Sequence, residues 1–199
     1  MLIIRNLKKT ITIKKGIFDI SLSLPAGTIT AVIGPNGAGK STLFNSLNGL
    51  LSPQQGRCLL DGIPLTRVSL SQTGFLPEAD FLIDRFTVLQ MIDYMVSMKK
   101  QDISSDEIEL LLSGFSLTEH KNTVISNLSQ GMKKRVSIIC AVIGYPQIIV
   151  LNEPLNALDI QSVLFLKKIL FESKNHGCHV LISSHVLDFL DGLVDRVVS

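Results

Sequence analysis

At 199 residues, with 46% hydrophobic side chains and a formal net charge of +2, the chain can bury one sizeable core and carries no basic excess of the kind that nucleic acid selects. The cysteines Cys58, Cys140 and Cys178 are widely spaced, with no CxxC pair and no histidine at zinc spacing, which argues against a disulfide framework or a zinc site and for a reduced, cytosolic chain. Arg5, Lys8 and Lys9 interrupt the region where a signal peptide needs an apolar stretch, and the apolar run from Val136 to Tyr145 is too short to cross a bilayer. A soluble protein is expected, with membrane association arising through a partner.

In chain order, Leu2-Ile3-Ile4 and Thr10 to Ile13 read as short strands, the second alternating Thr and Ile before a turn at Lys14-Lys15-Gly16. Phe18, Ile20, Leu22 and Leu24 alternate in a further strand that ends at Pro25-Ala26-Gly27. Ile29 to Ile33 is an apolar strand, and Leu43-Phe44-Asn45-Ser46-Leu47 continues a helix. Gly49 to Gly56 is a turn-rich break, Cys58-Leu59-Leu60 a strand with Asp61-Gly62 as its turn, and Gly74-Phe75-Leu76-Pro77-Glu78 a brief strand stopped by proline. From there the pattern changes: Leu89, Ile92, Met95 and Val96, then Ile108, Leu111 and Leu112, recur at helical spacing, predicting a helical insertion over about 86–128. Ser129 is the expected N-cap of a long helix through Ile143, stopped by Gly144-Tyr145-Pro146. Ile148-Ile149-Val150-Leu151 reads as a strand buried on both faces, Gln161 to Ser173 as an amphipathic helix, and Val180-Leu181-Ile182 as a second buried strand ending at Ser183-Ser184-His185. The fold class expected is α/β: a mostly parallel sheet, an antiparallel β portion at the N-terminus and an inserted all-α subdomain, within one domain over 1–199.

Between the strand at Ile29 to Ile33 and the helix that follows lies Gly34-Pro35-Asn36-Gly37-Ala38-Gly39-Lys40-Ser41-Thr42. This is G-x-x-x-x-G-K-[ST] in the strand–loop–helix setting that gives the pattern its meaning. Its glycines let successive backbone N–H groups approach phosphate oxygens, and the helix opening at Lys40 adds unpaired donors and a positive dipole end. The Lys40 ammonium can reach β- and γ-phosphates, and the Ser41 hydroxyl can bind Mg²⁺.

A phosphate loop alone does not separate kinases, GTPases and transport ATPases. Further along, Asn152-Glu153-Pro154 ends a buried strand, where ligands sit in α/β sheets. Leu128-Ser129-Gln130-Gly131-Met132 opens the long helix, Asn156-Ala157-Leu158-Asp159 follows the strand, and His185 ends the next. In this order, and over nearly the whole chain, these segments resemble the nucleotide-binding subunits of ABC transporters, those of bacterial exporter-type systems in particular. Gly34 to Thr42 is similar to the Walker A loop, Leu128 to Met132 to the LSGGQ signature, Ile148 to Glu153 to the Walker B strand, Asn156 to Asp159 to the D-loop, and His185 to the switch histidine.

The resemblance implies a P-loop NTPase core that binds ATP and Mg²⁺ and hydrolyses ATP at the interface of two subunits stacked head to tail. Each ATP would lie between one subunit's Walker A loop and its partner's signature, with Ser129 and Gly131 contributing there and Asp159 communicating across the dimer. Glu153 would activate the attacking water, and His185 and Lys40 would contact the γ-phosphate. The partners implied are a second ATP-binding subunit and a transmembrane permease subunit, which the helical insertion would face. The location implied is cytoplasmic, peripheral at the inner face of the membrane; nucleic acid is not an expected partner.

At several positions the sequence departs from the family. Asn152 stands where the family has Asp, which predicts either an accepted variation or weaker Mg²⁺ binding and slower hydrolysis. Glu78 occupies the position of the Q-loop glutamine, and its carboxylate could approach the metal and offset the charge missing at Asn152. Ile11 aligns with the adenine-stacking aromatic and can pack on a base without a π contact, so modest base selectivity is expected. Two other readings stay open at this point: a regulatory subunit that binds ATP with little hydrolysis, and a non-transport ABC ATPase.

Overall fold

The computed structural model describes residues 1–12, 15–65, 72–78, 81–99, 102–184 and 187–199. Its strands form two sheets. The antiparallel sheet has the order β2-β1-β4-β5, with β1 Leu2–Thr12, β2 Lys15–Leu24, β4 Gln55–Leu60 and β5 Ile63–Pro64. The second, parallel throughout, has the order β6-β7-β8-β3-β9, with β3 Thr28–Val32, β6 Thr73–Leu76, β7 Ile148–Asn152, β8 His179–Ser183 and β9 Arg196–Val198. The helices are α1 Lys40–Leu47, α2 Val88–Lys99, α3 Ser105–Gly114, α4 Gln130–Val142, α5 Ile160–Asn175 and the short α6 Leu187–Leu190.

The parallel sheet is apolar on both faces because each face has a separate partner. On β7, Ile148 and Val150 join Val32 and Leu181 in a core closed by Leu43, Phe44 and Leu47 of α1 and by Leu2, Ile4 and Leu60 of the antiparallel sheet. The alternate residues Ile149 and Leu151, with Ile29, Ala31, Val180 and Ile182, share a second core with Val136 and Ile139 of α4 and Leu166 and Ile169 of α5. A strand sandwiched in this way reads as a continuous apolar run, not as an alternation. All five residues of β7 are buried, so its last member, Asn152, is carried into the interior by its strand.

The N-terminal strand corrects one expectation. In place of separate strands at Leu2–Ile4 and Thr10 onward, β1 is continuous, with register shifts against β2 between Ile4 and Leu7 and again beyond Leu7. The polar residues between those two segments are accommodated within the strand as a bulge. Asn6 adopts φ 47°, its N–H donates to Ser21 Oγ at 2.9 Å, and its amide nitrogen donates to Asp19 Oδ1 at 2.9 Å. Ile13 and Lys14 lie outside the described residues.

Over 86–128 the chain forms α2, α3 and two 3-10 turns, Thr118–His120 and Ile125–Asn127, with an isolated antiparallel bridge between Thr87 and Val124 joining the two ends of the segment. Met91, Ile92, Leu112 and Phe115 are buried in the same core as α4. Ser129 caps α4 as its sequence predicts, its Oγ accepting from Met132 N–H at 3.3 Å. No helix among the described residues is long and apolar enough to cross a membrane.

Candidate functional site

β3 delivers the chain into the loop Gly34 to Gly39, and α1 starts at Lys40. Gly39 sits at φ 98° in the left-handed region, and a Cβ there would lie 2.7 Å from Gly16 O and 2.9 Å from Ile17 Cγ2. The position needs glycine both for its conformation and for its contact with the start of β2. No side chain caps α1, so the helix presents its opening N–H groups and the positive end of its dipole toward the loop. Lys40 Nζ donates to Gly34 O at 2.6 Å and Pro35 O at 3.3 Å, curling the loop around its ammonium.

Around this loop lies a cleft of about 310 Å³. The loop and α1 line it through Asn36, Gly37, Gly39, Lys40, Ser41 and Thr42; Glu78, Asn152 and Glu153 line it from the ends of β6 and β7; Ile11 and Gly16 line it from the antiparallel sheet. Ile11 is 49% exposed, an aliphatic side chain at the rim where a base could pack. Gly16 is a lining residue the sequence did not single out; only its place in a turn marked it.

Four side chains and one backbone group at the cleft form a chain of hydrogen bonds. Glu153 N–H donates to Ser183 Oγ at 3.0 Å, and Ser183 Oγ donates to Asn152 Oδ1 at 2.7 Å. Asn152 Nδ2 donates to Ser41 Oγ at 3.2 Å, and Ser41 Oγ donates to Glu78 Oε2 at 3.1 Å. Glu153 itself has φ 48°, a left-handed conformation uncommon for a side-chain-bearing residue and one that marks functional sites. Ser183 entered the sequence reading only as the end of a strand, yet it orients Asn152 and anchors Glu153.

Ser129, Gly131 and Asp159 are not among the residues that line this cleft. Ser129 stands at the start of α4 as its cap. Gly131 packs against the segment after β7, where a Cβ would meet Ala157 O at 2.7 Å. Asp159 caps α5, accepting from Ser162 N–H at 2.8 Å, and its other oxygen accepts from Arg135 Nη2 at 2.7 Å. The bond from Ser162 first, and then the Arg135 guanidinium, hold its carboxyl below the ordinary Asp range. His185 lies outside the described residues.

The donors present suit a polyphosphate: an uncapped helix start, a left-handed glycine turn and a lysine. A divalent cation that shares phosphate oxygens would need oxygen ligands from the protein, which Ser41 and the nearby carboxylates at the cleft offer. Among the described residues no cluster of three or more His, Cys, Asp or Glu could hold a metal alone. Mg²⁺ ordinarily takes one or two protein oxygens beside substrate phosphates, and Ser41 with a carboxylate meets that demand.

Residues 17–156 match the protein family described as ABC transporter. The chain is 32% identical over 197 residues to the lantibiotic transport ATP-binding protein SrtF of Streptococcus pyogenes, covering 99% of this chain and 85% of the relative. It is 30% identical over 199 residues to the SkfA peptide export ATP-binding protein SkfE of Bacillus subtilis, covering 98% and 83%. Among solved structures, one described as the ATP-binding subunit of an ABC transporter superposes with a TM-score of 0.90 at 27% identity, over 100% of this chain and 85% of that one.

Proposed function

This chain belongs to the ABC transporter family as an ATP-binding subunit, and we propose that it hydrolyses MgATP at the cleft between the Gly34–Thr42 loop and the ends of β6 and β7 to drive a transmembrane partner. The observation that carries the reading is the convergence in one cleft of Lys40, Ser41 and Glu153, from elements more than a hundred residues apart.

In this reading the loop N–H groups, the α1 dipole and Lys40 bind and orient the β- and γ-phosphates. Ser41, with the carboxylate of Glu78 and the side chain of Asn152 nearby, would hold Mg²⁺, which would supply charge neutralisation on the transferring phosphoryl group. Glu153 orients the attacking water and accepts its proton, its backbone fixed by Ser183. Ser129 and Gly131 act on the nucleotide of a second ATP-binding subunit, which accords with their position outside the cleft of their own chain. Asp159, two residues beyond the Ala157 that packs on Gly131, relays between the two subunits. His185 contributes a γ-phosphate contact. The helical segment over about 86–128 faces the permease, which places the protein at the cytoplasmic side of the membrane. Export is the direction supported by the name of the relative SkfE.

The test is ATP binding and phosphate release measured on the chain with and without its co-purified membrane partner. Wild type is expected to bind ATP and release phosphate, Glu153→Gln to bind without release, and Lys40→Ala to lose binding. Binding without release by the wild-type complex would establish a regulatory subunit in place of an ATPase.

A further inference from the structure

The antiparallel sheet turns one face to the core and one to solvent, and its register decides which residues share the outer face. Leu2, opposite Leu60, is buried, and so is Ile4. The alternate pairs, Ile3 opposite Leu59 and Arg5 opposite Arg57, therefore stand together on the outside. The bulge at Asn6 brings Lys8, opposite Gln55, onto the same face. There Lys8 and Gln55 line a hollow of about 360 Å³ with Asn6, Asp19 and Phe18, whose ring is 52% exposed.

Like charges directly opposite each other on neighbouring strands are destabilising unless an anion joins them. The chain supplies none. Among the described residues no carboxylate pairs with Arg5, Lys8 or Arg57, and Asp19 in the hollow accepts from the Asn6 amide. Both arginines are exposed, so the repulsion is not the by-product of a buried polar network.

An occupant of this face must bring negative charge to Arg5 and Arg57 and a neutral group to the hollow beside Phe18. Guanidinium groups suit a carboxylate, which they grip through paired N–H donors. An anionic bilayer meets these demands poorly: three cations fall short of the basic clusters that hold a protein on a membrane, and a plane of headgroups does not fill a recess. An extended polypeptide meets both. Carboxylates about 10 Å apart would reach the arginine pair and Lys8, three residues along β1 at about 3.3 Å each.

We propose that the outer face of β2-β1-β4 docks an acidic segment of a partner protein, with a carboxylate on Arg5 and Arg57 and a neutral side chain in the hollow walled by Phe18. The helix α1 packs beneath the inner face of this sheet, and the helical segment over about 86–128 packs on the other side of the parallel sheet. The docked segment thus approaches the subunit away from the nucleotide cleft and away from the surface assigned to the permease.

The experiment uses the full chain, thermal melts, and anisotropy with a fluorescein-labelled hexaglutamate peptide at low salt. Arg57→Glu places opposite charges across the strands. It is expected to raise the melting temperature of the free protein by about 2 °C and to weaken hexaglutamate binding about tenfold. Added hexaglutamate is expected to raise the melting temperature of wild type but not of Arg57→Glu. Lys168→Glu makes the same change in net charge on the exposed side of α5 and is expected to keep wild-type peptide affinity. Both variants are expected to bind an ATP analogue as wild type does. A peptide with leucine in place of its third glutamate is expected to bind more tightly than hexaglutamate, an advantage lost in Phe18→Ser. A melting temperature that does not rise in Arg57→Glu, an equal loss of peptide binding in Lys168→Glu, or no advantage from the leucine overturns the proposal. So does preference for phosphatidylglycerol vesicles over hexaglutamate, which makes the occupant a bilayer, or self-association abolished by Arg57→Glu, which makes it a second copy.

Discussion

Lys99 offers the sharpest test of how the helical segment is fastened to the sheet. It ends α2 and is 1% exposed, with Nζ donating to Ile143 O at 2.7 Å and Ala141 O at 3.3 Å, the carbonyls that finish α4. From α3, Glu107 accepts from Gly144 N–H at 2.9 Å, so three helices meet at this point. Burial pushes the Lys99 ammonium down from its ordinary 10.5 to about 8, with the nearby Glu107 carboxylate opposing the fall. At about 1.4 kcal/mol per pH unit, the charged form in the fold is disfavoured by roughly 3 kcal/mol. Below pH 8 both folded and unfolded chains hold the proton, and the cost is fully present. Between about 8 and 10.5 only the unfolded chain still holds it, so this group makes stability rise with pH. Lys99→Met removes that rise. At neutral pH the variant gains relief from the buried charge and leaves two carbonyls without a donor, at about 1–3 kcal/mol each, so its stability there stays near wild type. Burial raises Cys140 to about 12 and Cys178 to about 11, which makes stability fall with pH in both proteins, so the informative quantity is the difference between them. Urea unfolding at a series of pH values from about 7 to about 10 is the assay. Parallel curves for wild type and Lys99→Met would refute the reasoning.

Gly39→Ala places a Cβ 2.7 Å from Gly16 O at φ 98°, costs roughly 1–2 kcal/mol in backbone strain alone, and shifts the loop; a fluorescent ATP analogue should show a marked loss of binding, and wild-type affinity would contradict the geometry. Gly131→Ala meets Ala157 O at 2.7 Å outside the cleft, so the isolated chain should keep its ATP affinity while phosphate release by the assembled transporter falls. Asp159→Ala removes the cap of α5 and should lower stability by about 1 kcal/mol in thermal melts. Because the folded carboxyl lies below its ordinary 3.8, the contribution of Asp159 is present above that pH and is lost as pH falls below it, so wild type and variant should converge in acid.

What the sequence displayed was whatever repeats locally. The phosphate loop, the runs at Ile148–Leu151 and Val180–Ile182, the N-cap at Ser129 and the helical spacing after Val88 are each written in neighbouring residues, and each forms the element expected. β1 was divided because a bulge at Asn6 places polar residues within a strand, which alternation cannot distinguish from a loop. β9 went unread because Arg196–Val198 is three residues long and gains its identity only by pairing with β3. Gly16 lines the cleft because β2 passes beside Gly39, a contact that no spacing in the sequence encodes.

The site was legible as a set of residues but not as a network, and the difference lies in hydrogen direction. Asn152 read as a weakened acid: an oxygen retained and a charge lost. That description holds only if the oxygen faces the metal, and in the fold the amide oxygen accepts from Ser183 Oγ, 31 positions away, while the amide nitrogen faces Ser41. An asparagine at residue 152 therefore has a structural consequence beyond the missing charge. It permits one unbroken sequence of donors from β8 through β7 and α1 to Glu78, whereas an aspartate at 152 beside Glu78 would leave two carboxylates competing for the single Ser41 proton. The residues at 78 and 152 are thus coupled through one hydroxyl, and a substitution at either should be interpreted only with the identity of the other in hand.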